Sequence, residues 1–429
     1  MFGLKIVLVA LVASTTFASD NAVVAPNNTG GMESTLGASE SGAASLAFVF
    51  DVTGSMYDDL VQVIEGAAKI LATTLARREK PLSNYVLVPF HDPDVGPVLQ
   101  TTNPKLFQKH LRDLYVQGGG DCPEMAITAI KLALEVALPF SFIYVFTDAR
   151  AKDYYLTDQV LSLIQQKQSQ VVFVMTGDCN DTNHPGFKAF EKIAATSSGQ
   201  VFLLRKSEVN QVLNFVRVAI QTRKVNLVSV DTDPNRYKNV YTLPIDSKLQ
   251  EITVSLSGGG AKLGIKNPQG KTIGVKNGLN ILLSLDNVFV ANYYRPEPGI
   301  WKIQVVSDKP HTVRITGLSS LNFVYGFSKM PTSDFAVAVR RPVAGVPMHA
   351  LINLTESIAP GMARTLEFVD LVGQVQLETQ LHPVGDSRTL YNASLTVPDI
   401  DFFYLRVRYF YYIINSHGFQ TLFFSGGWN

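Results

Sequence analysis

The chain has 429 residues, 46% hydrophobic and 17% charged, with 37 Lys and Arg against 36 Asp and Glu for a formal net charge of +1. That is core-forming material for about two to four ordinary domains. The cancelled charge excludes a protein that holds nucleic acid or an anionic membrane by bulk electrostatics, so binding must come from local sites.

Lys5 precedes an apolar run from Ile6 to Val12, and small residues follow through Thr16, Ala18 and Ser19. This is the pattern of a secretory signal peptide over residues 1–19, cut after Ala18 or Ser19. The run is too short for a membrane span, which needs about 20 apolar residues. Asn-x-Ser/Thr sequons at Asn27, Asn180, Asn353 and Asn392 fit a secreted glycoprotein. An oxidising compartment favours pairing of the two cysteines, Cys122 and Cys179. The alternatives are a free buried thiol or a nucleophile beside His184, which nothing in the sequence orients.

Residues 20–44, rich in Gly, Ser, Ala and Asn, read as a flexible segment. From Leu46 the character changes, and residues 45–222 alternate continuous apolar strands with helical patterns. Leu46 to Phe50 is a strand covered on both faces, and Leu60, Val63, Ile64, Ala67, Leu71 and Leu75 form one helical face. Strands follow at Tyr85 to Phe90, Val98 to Thr101 (an edge), Phe142 to Phe146, Val171 to Met175 and Val201 to Leu204. Helices are expected at Glu124 to Val136, Phe187 to Ala195 and Glu208 to Ile220. The order implies a doubly wound α/β domain with a mostly parallel sheet. Beyond it the period changes to alternation, as in Ile252-Val254-Leu256, Trp301-Ile303-Val305 and Val313-Ile315, with turns at Asn267 to Gly270 and Pro298-Gly299. A β-sandwich is expected over residues 223–329, and a β-rich, incomplete domain over residues 330–429. In the latter, Phe402 to Ile414 is crowded with aromatics but carries Arg406 and Arg408, against a membrane span.

Ligands of open α/β sheets sit on loops beyond the carboxyl ends of the strands. Three such loops carry oxygen ligands: Asp51 to Ser55 with Thr53 between, Gly118 to Glu124, and Thr147-Asp148. Two hydroxyls and three carboxylates suit a hard divalent cation with one position open. Taken singly, Asp51 and Ser55 read as helix caps, Asp148 as a turn cap, and Asp58 and Asp59 as charges on a helix dipole worth about 0.3–1 kcal/mol each. The glycine run at 118–120 lacks the Gly-Lys-Ser/Thr of a phosphate loop. His91-Asp92-Pro93-Asp94 has a place open to it near the metal edge too, but a solvated turn is the better reading.

The stretch Asp51-Val52-Thr53-Gly54-Ser55 with Asp148 resembles the metal-ion-dependent adhesion site of von Willebrand factor A domains. Met56, Asp58, Asp59 and Leu60, then Asp121-Cys122-Pro123-Glu124, extend the resemblance toward the integrin β-subunit version. That likeness implies Glu124 on the central ion, Asp58 and Asp59 on an adjacent Ca2+, and Asp121, the Pro123 carbonyl and Glu124 on a third. Thr53 replaces the usual serine and keeps its hydroxyl, whereas Gly119 stands where the pattern offers an asparagine. Over most of the chain to about residue 350 the sequence is similar to the amino-terminal region of hemicentins, fibulin-related matrix proteins. Gly118 to Met125, Phe146 to Arg150, Thr176-Gly177-Asp178-Cys179 and Val313 to Ser319 carry this likeness.

The function implied is that of a secreted, non-enzymatic matrix or adhesion protein. Its central Mg2+ (or Mn2+) would take an acidic side chain from a matrix or cell-surface protein, with Ca2+ at the adjacent site. The alternative is a matrix-assembly protein whose metal site serves stability alone. A metal-assisted hydrolase is the weakest reading, because the shell has no histidine and no separate base.

Overall fold

The computed structural model describes residues 10–13 and 44–424, apart from 79, 222–223, 233–237, 308, 358–360, 401 and 416–417. The expected cleavage point, the Gly/Ser-rich segment and Asn27 lie outside the described residues. Ala10–Ala13 (β1) pairs antiparallel with Phe402 to Leu405.

The α/β domain is built on β2 (Ala44–Asp51), β3 (Leu82–Phe90), β4 (Leu99–Thr101), β5 (Phe142–Thr147), β6 (Gln170–Met175) and β7 (Val201–Leu203). Their order in the sheet is β4-β3-β2-β5-β6-β7, parallel throughout except the edge strand β4. Side chains of β2 alternate between two cores because successive residues point to opposite faces. Leu46, Phe48 and Phe50 pack with α1 (Tyr57–Ala76), α2 (Pro104–Arg112) and α6 (Val209–Ala219). Ala47 and Val49 pack with α3 (Ala126–Val136), α4 (Thr157–Lys167) and α5 (Pro185–Thr196). Two helices, α2 and α4, were not expected from the sequence. Helix α2 buries only Phe107 and Leu111, too short a stripe to show periodicity, although Asn103 caps it by accepting from the Lys105 N–H at 2.9 Å.

The following domain is a sandwich of two antiparallel sheets. One contains β8 (Lys224–Thr232), β10 (Glu251–Ser257), β13 (Leu279–Ser284), β14 (Val288–Tyr294) and β16 (His311–Leu318). The other contains β9 (Lys238–Ile245), β11 (Lys262–Lys266), β12 (Thr272–Ile273) and β15 (Gly299–Val306). Trp301 is fully buried between them, its indole N–H donating to the Glu297 carbonyl at 2.9 Å.

The border expected near residue 329 falls earlier. Strand β17 (Phe323–Ser328) pairs with β18 (Pro347–Leu354) and belongs to a second sandwich, with β22 (Leu390–Thr396) and β21 (His382–Pro383) in the same sheet. The facing sheet holds β19 (Met362–Val369), β20 (Val375–Gln380), β23 (Phe402–Asn415) and β24 (Gly418–Phe424). The aromatic segment is therefore an inner strand, and its two arginines meet the fully buried Glu367, at 2.5 Å for Arg406. No helix among the described residues is long and apolar enough to cross a membrane.

Candidate metal centre

The three oxygen-bearing loops do converge at the carboxyl edge of the sheet. Asp51 ends β2 and is fully buried. Its Oδ1 accepts from the Thr53 N–H at 3.0 Å and from the Thr53 hydroxyl at 2.7 Å. Its Oδ2 accepts from the Thr147 hydroxyl at 2.7 Å. The Thr53 and Ser55 hydroxyl oxygens lie 3.2 Å apart, with Ser55 exposed to solvent. Neither Asp51 nor Ser55 caps a helix, so the capping reading fails: neither the 3-10 turn Gly54–Met56 nor α1 has a side-chain cap.

The second loop lies against the first. The Gly54 N–H donates to the Gly118 carbonyl at 3.2 Å, and the Gln117 N–H donates to the Val52 carbonyl at 2.9 Å. Gly118 and Gly119 sit at φ +73° and +90°, where a side chain would be strained. Cys122 and Cys179 form the expected disulfide, tying this loop to the segment after β6. Glu124 is buried, held by its N–H on the Arg150 carbonyl at 3.0 Å, and its Oε2 accepts from the Asp92 N–H. The turn at 91–94 is thus part of this edge rather than a solvated bystander.

Burial dominates the electrostatics. It pushes Asp51 up to about 6, against the lowering effect of its donors, and Asp148 adds to the rise. Glu124 is pushed up to about 7 by burial, then by Asp51 and Asp92. No Lys, Arg or His forms an ion pair with either carboxylate among the described residues. Buried Asp51 and Glu124 beside the Thr53 and Ser55 hydroxyls suit a small divalent cation, although Lys206 already pairs with Asp148 and no group of three or more His, Cys, Asp or Glu side chains among the described residues is gathered closely enough to hold one. The set that would hold it is Asp51, Thr53, Ser55, Glu124 and Asp148.

The flanking acids are arranged differently. Asp59, 1% exposed, accepts from the Thr176 hydroxyl at 3.0 Å and from Lys206 at 3.3 Å. Lys206 Nζ also lies 3.2 Å from Asp148 Oδ2 and donates to the Ser55 carbonyl. Burial pulls Lys206 down, but Asp59 and Asp148 outweigh it and hold the ammonium above its ordinary range. Asp58 is exposed and is not among its partners. On the other flank Lys152 Nζ lies 3.0 Å from Asp121 Oδ2 and also binds Asp92. Sequence reasoning passed over Lys152 and Lys206 and read Asp92 as part of a solvated turn, because no spacing rule ties a lysine to acids that are 31 to 147 residues away.

Three sequons fall on described residues. Asn180 is exposed in a loop at φ +57°, whereas Asn353 and Asn392 are half-buried on β18 and β22.

Residues 45–206 match the von Willebrand factor A domain model, and residues 224–320 match the hemicentin galactose-binding domain-like model. Hemicentin-1 of Mus musculus is 54% identical over 369 residues, which is 85% of this chain and 6% of the relative. Hemicentin-2 of the same species is 49% identical over 86% of this chain and 7% of the relative. The human von Willebrand factor A domain-containing protein 7 is 34% identical over 73% of this chain and 37% of the relative. The chain thus spans about a sixteenth of the length of the first of these relatives. Across both matched domains it belongs to the hemicentins: it carries their amino-terminal von Willebrand factor A domain and galactose-binding-like domain and is, like them, a secreted extracellular matrix protein.

Proposed function

We propose that the A-type domain binds a protein partner through a divalent ion, Mg2+ or Mn2+, held by Asp51, Thr53, Ser55, Glu124 and Asp148. The observation that carries this reading is the pair of buried carboxylates, Asp51 and Glu124, left without a cationic side chain beside exposed Ser55. A cation there offsets the burial cost, and its solvent-facing position accepts an acidic side chain from a matrix or cell-surface protein. The ion polarises no substrate in this reading, and the protein is not an enzyme.

Calorimetric titration of the secreted chain with Mn2+ or Mg2+ tests this. Saturable binding is expected in the native chain and none in Asp51→Ala, with both proteins folded. Pull-down from matrix extract should then lose its partner when the ion is chelated. A partner retained under chelation, with only the melting temperature lowered, would leave the metal a stabilising role and sink the adhesion reading.

A further inference from the structure

The resemblance to integrin β-subunits implies two flanking cation sites beside the central one, the adjacent one for Ca2+, and the side chains on both flanks disagree with it. We propose that the ammonium groups of Lys206 and Lys152 occupy the two flanking cation positions, so that this A-type domain takes one divalent ion instead of three. The flanking assignment does not rest on the adhesion reading; only the count of one for the central ion does.

On the first flank, Lys206 Nζ gathers Asp59 Oδ2 at 3.3 Å, Asp148 Oδ2 at 3.2 Å and the Ser55 carbonyl. Asp59 Oδ1 also accepts from the Thr176 hydroxyl at 3.0 Å, so each oxygen of that carboxylate already has a donor. Calcium needs six to eight oxygens at about 2.3–2.6 Å, and a cation already lying among these oxygens repels a second. The second flank repeats the arrangement with Asp121 and Asp92 around Lys152. Gly119 removes a further ligand there.

Both lysines are held in place through their backbones. The Lys206 carbonyl accepts from Gln62 Nε2 at 2.7 Å, at a turn closed by Glu208, which accepts the Arg205 N–H at 2.8 Å. The Lys152 N–H donates to the Glu124 carbonyl at 2.7 Å, so its ammonium and the central ligand Glu124 are positioned together. A tethered ammonium cannot be exchanged, chelated or diluted. The flanks of this domain would therefore keep their charge at any Ca2+ concentration.

The test is ion stoichiometry by calorimetry and equilibrium dialysis, with Ca2+ and Mn2+, on the full secreted chain. The expected result is one Mn2+ per native chain and no Ca2+ bound by Asp51→Ala up to about 1 mM, the weak end of extracellular sites. Adding Lys206→Met or Lys152→Met to Asp51→Ala should create one Ca2+ site, with folding checked by circular dichroism. Ca2+ bound by Asp51→Ala with both lysines present overturns the proposal, and so does a native chain holding two or three ions. Folded methionine variants that gain no Ca2+ overturn it too. A native chain without Mn2+ binding, beside methionine variants that gain Ca2+, would reject the adhesion site and keep the lysine assignment.

Discussion

At the scale of single residues, the centre is decided by where carboxylates lose their water. Asp51 was legible because it ends a continuous apolar strand, so its burial follows from its position. Thr147 was legible at the same edge, but the bond from its hydroxyl to the second Asp51 oxygen was not, since 96 residues separate them. Gly177 has a similar hidden reason: a Cβ there would stand 2.3 Å from the Asp148 carbonyl oxygen. Gly177→Ala should therefore push the Asp148 turn aside. We expect a loss of about 1–3 kcal/mol in urea unfolding, as for other overpacked sites, together with weaker Mn2+ binding. Unchanged stability and affinity would mean that the turn relaxes freely.

At the scale of elements, loops at one edge of a rigid sheet do the work that separate peptides could not. The second loop has few apolar anchors, and its place depends on Gly54, Gln117 and the disulfide to the segment after β6. The cysteines are 57 residues apart in sequence, and removing such a link costs about 2–4 kcal/mol. Cys122→Ser with Cys179→Ser should lower the midpoint of chemical unfolding accordingly. It should also weaken Mn2+ binding, because Glu124 follows two residues after Cys122. Equal Mn2+ affinity in the double variant would show that the Glu124 N–H bond to Arg150 suffices to seat the loop. Most strands and four of the six helices could be read from periodicity. Helices α2 and α4 could not, since each buries a narrow stripe against a sheet already identified.

At the scale of the whole molecule, the α/β domain and the sandwiches share surfaces rather than hang on linkers. Leu283, Val288 and Val290 of the first sandwich lie in the same core as α6. Arg314 donates to the Gly199 carbonyl at 2.9 Å and pairs with Asp231 at 2.7 Å, and the Tyr404 hydroxyl of the second sandwich donates to the Ala195 carbonyl at 2.7 Å. Between the α/β domain and the first sandwich is a cavity of about 60 Å3, bordered by Lys224 and Glu251. Burial pulls Lys224 down to about 8, with Glu251 opposing the shift. Because the folded value lies below the usual 10.5, the native state bears a cost while the amine is charged. That cost is full below about pH 8 and fades as pH rises toward the unfolded value. Lys224→Met should raise the melting temperature at pH 7, with the advantage shrinking between pH 8 and 10.5. A variant less stable than the native chain at pH 7 would show that the Glu251 attraction wins.

The amino-acid sequence by itself determined the local matters: which runs are strands, which loops end them, and that oxygen ligands stand on three loops of one sheet edge. Those follow from periodicities of two and 3.6 residues and from chain direction, which act over a few neighbours. Only the tertiary structure decided that β17 crosses into the second sandwich, that Asp92 joins the metal edge, and that Lys152 and Lys206 reach the flanking acids. Strand partners and long flexible amines are chosen by what lies near in space, and no short spacing in the chain records that choice.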